Sequence, residues 1–105
     1  MVAMVNIPET VTAGTVVEVK ILISHPMETG FRTGPDGTLV PRNIIPEFRC
    51  LYGGEEVFRA EIFPAVAANP FLSFFLRAEQ TAEVELLWTD EAGQEHSEAR
   101  LLTVQ

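Results

Sequence analysis

Apolar side chains recur at every second position through most of this 105-residue chain. From Thr15 to Ser24, Val17, Val19, Ile21 and Ile23 alternate with Val16, Glu18, Lys20 and Leu22. That is the period of a strand with one buried face. Glu83 to Trp88 repeats it, with Val84, Leu86 and Trp88 on one side and Glu83 and Glu85 on the other. Similar runs lie at Glu47–Tyr52, Glu56–Phe63, Phe71–Ala78 and Glu95–Val104, and a short one at Val2–Ile7. No segment carries a helical repeat with caps, and seven prolines interrupt the candidates. Seven short strands punctuated by Gly, Pro, Asp and Asn predict an all-β fold, an immunoglobulin-like β-sandwich forming a single domain over residues 1–105.

One hairpin can be argued in register. Gly53-Gly54 supplies the positive φ of a tight turn. A two-residue loop sets Tyr52 opposite Glu55 and Cys50 opposite Val57. A three-residue loop, Gly53-Gly54-Glu55 with a bulge, instead sets Cys50 near Phe58 and Phe48 near Ala60, gathering the apolar side chains on one face. Burial of one face fixes register, so the bulged form is expected. The nearly twenty residues from His25 to Asn43 are long for a connection, and insertions of that length often serve function. Gly34-Pro35-Asp36-Gly37 marks a turn, the tip of a small hairpin inside the insertion.

Composition narrows the function classes. With 47% hydrophobic and 21% charged residues the chain is globular in type. Seven Lys+Arg against fifteen Asp+Glu give a formal charge of −8, which disfavours nucleic acid and anionic membrane surfaces as partners. The N-terminus lacks a basic start followed by an apolar run, so the chain reads as soluble with no signal peptide of its own. One cysteine excludes a disulfide framework and multi-cysteine metal sites.

Chemistry is scarce. His25 and His96 lie in distant segments, and no Ser, Asp or Cys sits in a nucleophile motif, so no catalytic residue is nominated and no enzyme is expected. His25, Met27, Cys50 and His96 are the ligand types of a blue-copper centre. Against that, Cys50 lies mid-strand with no His or Met closely following it. It reads as core filling, and neither metal nor cofactor is expected. Copper loading lost in Cys50→Ala would mark the alternative, a copper-binding module. A generic adhesion sandwich, folded and monomeric without a partner, is the other. His25, followed by Pro26, reads either as a solvated or backbone-bonded histidine or as part of a contact surface. The late acidic residues read as solvated strand faces, and Trp88 as core.

The strand after Pro70 carries too much apolar surface. Phe71 and Phe75 fall on one side, Leu72, Phe74 and Leu76 on the other. A sandwich strand needs one buried face. Either the long loop covers the second, or another protein does.

Two stretches, Ile23-Ser24-His25-Pro26-Met27-Glu28-Thr29-Gly30 and Ala68-Asn69-Pro70-Phe71-Leu72-Ser73-Phe74, resemble signature segments of the SoxZ family, the small subunit of the SoxYZ sulfur-oxidation carrier. Pro41-Arg42-Asn43-Ile44-Ile45 and Trp88-Thr89-Asp90 extend the resemblance over nearly the whole chain. It implies a sandwich that pairs as a heterodimer with a SoxY-type subunit. In that family the partner's flexible arm ends in a glycine-flanked cysteine carrying thiosulfate-derived sulfur, and other Sox enzymes visit the arm transiently. It also implies a periplasmic location reached by co-export with the partner. Cys50 lacks flanking glycines, and Leu101–Val104 reads as strand, so no swinging arm is expected here. The expected partner-binding residues are His25, Pro26, Met27, Glu28, Thr29, Gly30, Asn69, Pro70, Phe71 and Phe75.

Overall fold

A computed structural model describes residues 2–63 and 68–105 of the chain. It is an immunoglobulin-like sandwich of eight strands: β1 (Val2–Asn6), β2 (Thr10–Val11), β3 (Val16–Ser24), β4 (Glu47–Tyr52), β5 (Glu55–Glu61), β6 (Phe71–Arg77), β7 (Ala82–Thr89) and β8 (Glu95–Val104). One sheet has the order β1-β3-β6 and the other β2-β8-β7-β4-β5. Among the described residues there is no helix, and so none long and apolar enough to cross a membrane.

The strand beyond the seven expected is β2, which pairs parallel to the end of β8. Its two residues carry no period to read. Pro8 follows β1, and the chain crosses there from one sheet to the other, where the Thr103 N–H donates to the Glu9 carbonyl and the Gln105 N–H to the Val11 carbonyl.

The alternation places its apolar members inside. Val17, Val19, Ile21 and Ile23 of β3 face Phe48, Cys50 and Tyr52 of β4 and Val84, Leu86 and Trp88 of β7, all buried. An aromatic seam ties the sheets together: Phe74 of β6 stacks on Phe58 of β5 at 4.2 Å between ring centroids and packs on Phe48, which stacks on Trp88. Such aromatic pairs add to simple area burial.

The β4–β5 hairpin has the expected register, Cys50 opposite Phe58 and Phe48 opposite Ala60. Its loop is shorter than expected. Gly53 and Gly54, at φ 59° and 83°, make a two-residue turn with Tyr52 opposite Glu55. The extra residue is Val57, bulged out where the register shifts beside Cys50 and Leu51. Both constraints are thereby met: the glycines take the turn that matches strand twist, and the bulge one step later returns the apolar residues to the core face.

The insertion from His25 to Asn43 forms the expected small hairpin. Thr33 bridges Leu39, and around the tip the Gly34 N–H donates to the Thr38 carbonyl. Nearer the sandwich, Glu28 bridges Asn43.

Candidate interaction surface

The outer face of the three-stranded sheet is built by the positions that alternation turns away from the core. Met4 of β1 pairs with Leu22 of β3, and Leu22 with Phe71 of β6, so three apolar side chains form one continuous row. Phe71 is 58% exposed and Phe75 63%. The long loop therefore does not cover this face. A polar row, Asn6-Lys20-Ser73, separates Phe71 from Phe75, and Ser73 Oγ donates to Glu18 Oε2 at 2.8 Å. A shallow groove of about 430 Å³ runs along Met4, Leu22 and Phe71. Met4 and Leu22 were not singled out from the sequence, although each is a large apolar residue on the polar beat of its strand.

The two signature stretches meet at one end of the sandwich. His25 and Asn69 are 44 positions apart, yet the His25 N–H donates to Asn69 Oδ1 at 3.0 Å and the Asn69 N–H returns a bond to the His25 carbonyl at 2.7 Å. Asn69 takes a left-handed backbone, φ 54°, which asparagine tolerates better than most residues. Pro70 is buried, and its carbonyl accepts the Ile23 N–H.

Within the first stretch the side chains divide between interior and surface. His25 is 3% exposed and Met27 4%; Pro26 is exposed, and Glu28, Thr29 and Gly30 are half-buried. The Met27 N–H donates to His25 Nδ1 at 3.0 Å, which leaves the ring proton on Nε2, 3.3 Å from Asp90 Oδ2. Asp90 is itself buried at the β7–β8 turn and also accepts the Gln94 N–H at Oδ1. Burial acts to raise the Asp90 pKa. The hydrogen bonds from Gln94, His25 and Asn43 outweigh it and hold the carboxyl below its ordinary value. His25 is thus the backbone-bonded histidine of the sequence reading, buried rather than solvated or directly at the surface, and with Asp90 it pins the loop to the β7–β8 turn. The roles of Asp90 and Asn43 are not legible in the sequence because they depend on distant contacts, the one between His25 and Asp90 spanning 65 positions.

The visible part of the loop is shaped by that anchor. Glu28 forms a two-pronged ion pair with Arg32, which holds its carboxyl below the usual glutamate value. Gly30, at φ 90°, lies where a Cβ would stand 3.2 Å from the Arg42 Cβ.

The remaining candidates are scattered. Cys50 is fully buried in β4, and desolvation pushes its thiol up to about 12, far from a thiolate at neutral pH. His96 of β8 rests against Trp88 at 4.8 Å and bonds Glu98. Among the described residues no group of three or more His, Cys, Asp or Glu side chains is placed to hold a metal ion.

Residues 5–100 match the family model described as Sulphur oxidation protein SoxZ. No curated protein matches the chain. Among solved structures, the chain is similar to a superoxide reductase (neelaredoxin) from Ignicoccus hospitalis, with 13% identity over 100% of this chain and 81% of that one and a TM-score of 0.74. It is also similar to the sulfur carrier protein SoxY from Chlorobium limicola f thiosulfatophilum, with 16% identity over 98% of this chain and 78% of that one and a TM-score of 0.68. At these identities the likenesses establish a shared fold.

Proposed function

The chain belongs to the SoxZ family and is a subunit of a sulfur-oxidation complex, and from that premise we propose that it is the complex's non-catalytic body. On this reading it pairs with a SoxY-type subunit, whose cysteine arm carries thiosulfate-derived sulfur between Sox enzymes in the periplasm, and reaches that compartment together with the partner. The observation that carries the reading is the uncovered apolar face of β1, β3 and β6, with Phe71 and Phe75 more than half exposed on a small acidic chain. Exposed apolar patches rimmed by polar residues mark association surfaces. The buried state of Cys50 supports the division of labour, since a protonated, enclosed thiol offers no nucleophile for sulfur.

Co-expression with a SoxY-type subunit tests this directly. The two chains should co-purify in equal amounts, and Phe75→Ala should weaken the pair by about thirtyfold, near 2 kcal/mol for a desolvated aromatic. The same variant should leave this chain's unfolding midpoint unchanged, because Phe75 lies outside the core. A wild-type chain that stays alone in the presence of the partner refutes the reading.

A further inference from the structure

The two sheets treat their outer edges differently. β5, one edge of the larger sheet, has charged side chains at Glu55, Glu56, Arg59 and Glu61 and a bulge at Val57. These are the devices by which proteins prevent a strand from pairing with another chain. β6, an edge of the smaller sheet, has no bulge and only one charged residue, Arg77. Its seven residues, Phe71 to Arg77, run in unbroken register against β3, with a single charge at the far end and no proline inside.

The backbone direction of β6 follows from two hydrogen bonds. The Ile23 N–H donates to the Pro70 carbonyl, and the Ala78 N–H donates to the Thr15 carbonyl. In an antiparallel pair, alternate residues direct both backbone groups at the same neighbour. Leu72, Phe74 and Leu76 therefore bond β3, while Phe71, Ser73, Phe75 and Arg77 aim their N–H and C=O groups away from the sheet. Among the described residues no strand pairs with that side of β6. At the opposite edge, β1 turns only Ala3 and Val5 outward by the same parity.

We propose that β6 is a strand-addition site, where an extended segment of the SoxY-type subunit pairs antiparallel or parallel with Phe71–Arg77 and continues the three-stranded sheet across the heterodimer. This rests on the functional reading above and specifies its contact. A row of outward amides and carbonyls at strand spacing is complementary to one kind of group, another extended backbone. The solved SoxY structure shares this sandwich fold, so a partner of that type is itself built of strands. Phe71 and Phe75 extend from the same outward-aimed residues, and an added strand would lay its side chains beside theirs while the backbone groups paired.

The test uses Ser73, whose N–H faces outward. Ser73→Pro removes that donor without touching a bond to β3, as edge strands allow. Ser73→Ala is the control: it loses the bond to Glu18 but keeps the N–H. Titration of each chain against the SoxY-type subunit should show Ser73→Pro binding at least about tenfold more weakly than Ser73→Ala. In wild-type complex, hydrogen exchange should slow at the amides of Phe71, Ser73, Phe75 and Arg77. Equal affinities of the two variants, or unchanged exchange at these four amides within a formed complex, would overturn strand addition alone. Should Ser73→Pro fail to fold, the exchange measurement on the wild-type complex decides. Failure of the wild-type chains to associate would instead remove the functional reading and the proposed occupant together.

Discussion

Environment, more than residue type, sets what each reactive side chain can do. Cys50 has the chemistry of a sulfur carrier and the surroundings of a core alanine: it is fully enclosed, and its thiol is pushed up to about 12 by desolvation. Cys50→Ala should therefore cost about 1 kcal/mol, the order expected for trimming a small buried side chain. Sulfur loading of the complex should be unchanged, and mass spectrometry of the loaded complex should find no added sulfur on this chain. Asp90 is the opposite case, a buried carboxylate kept ionised by donors. Its folded pKa lies below the ordinary 3.8. The stability it contributes is present above that value and is lost as pH falls through the folded pKa. Asp90→Asn should lower stability at pH 7 by about 1–3 kcal/mol, the range for disturbing a buried hydrogen-bonded acceptor. The deficit relative to wild type should start to shrink as pH falls below the ordinary 3.8, where the unfolded chain's carboxylate takes up a proton that the folded one still resists. Urea unfolding of both proteins at pH 7 and pH 3 checks the sign.

At the scale of elements, legibility tracked how local the cause was. Strand periods, the Cys50–Phe58 register and the Gly34–Gly37 tip follow from neighbours a few residues apart, and each can be read from the sequence. The placement of the bulge at Val57 needed two local rules weighed together, glycine turn preference and hydrophobic register, where either alone misplaces it. The inward turn of His25 could not be read, because Asp90 and Asn69 reach it only after both sheets have packed. Burial changes what a substitution there will do: His25→Ala should destabilise the chain, since it removes the ring that bonds both Asp90 Oδ2 and the Met27 N–H in the interior. Glu28, on the outer side of the loop, should behave differently. Glu28→Ala should leave the unfolding midpoint and assembly with the partner unchanged, while lowering turnover by the enzymes that act on the partner's arm. Unchanged turnover in that variant would show that Glu28 takes no part in contact with those enzymes.

Over the whole molecule, charge and apolar surface are segregated between the sheets. The outer face of the larger sheet carries Glu47, Glu56, Glu61, Glu83, Glu85 and Glu95 against Arg49 and Arg59. Four of these residues share one ion-pair cluster, in which Glu56 bonds both arginines and Arg59 also reaches Glu47. The smaller sheet's outer face carries Glu18, Lys20 and Arg77 among its apolar side chains. A partner seated on the smaller sheet thus meets little net charge, while the larger sheet's outer face, six glutamates against two arginines, carries half of the chain's net charge of −8. Salt screens exposed charges over roughly 10 Å at 0.1 M, so the two faces should respond to it differently. Association with the SoxY-type subunit should change by less than about threefold between 50 mM and 500 mM salt, as apolar burial and backbone pairing are weakly screened. Contacts made by the acidic sheet with basic surfaces should lose association rate steeply over the same range. Surface-bound titrations of the partner across that salt series separate the cases. A steep fall in partner affinity would place the interface on the five-stranded sheet, and the exposed phenylalanines of β6 would then need another occupant.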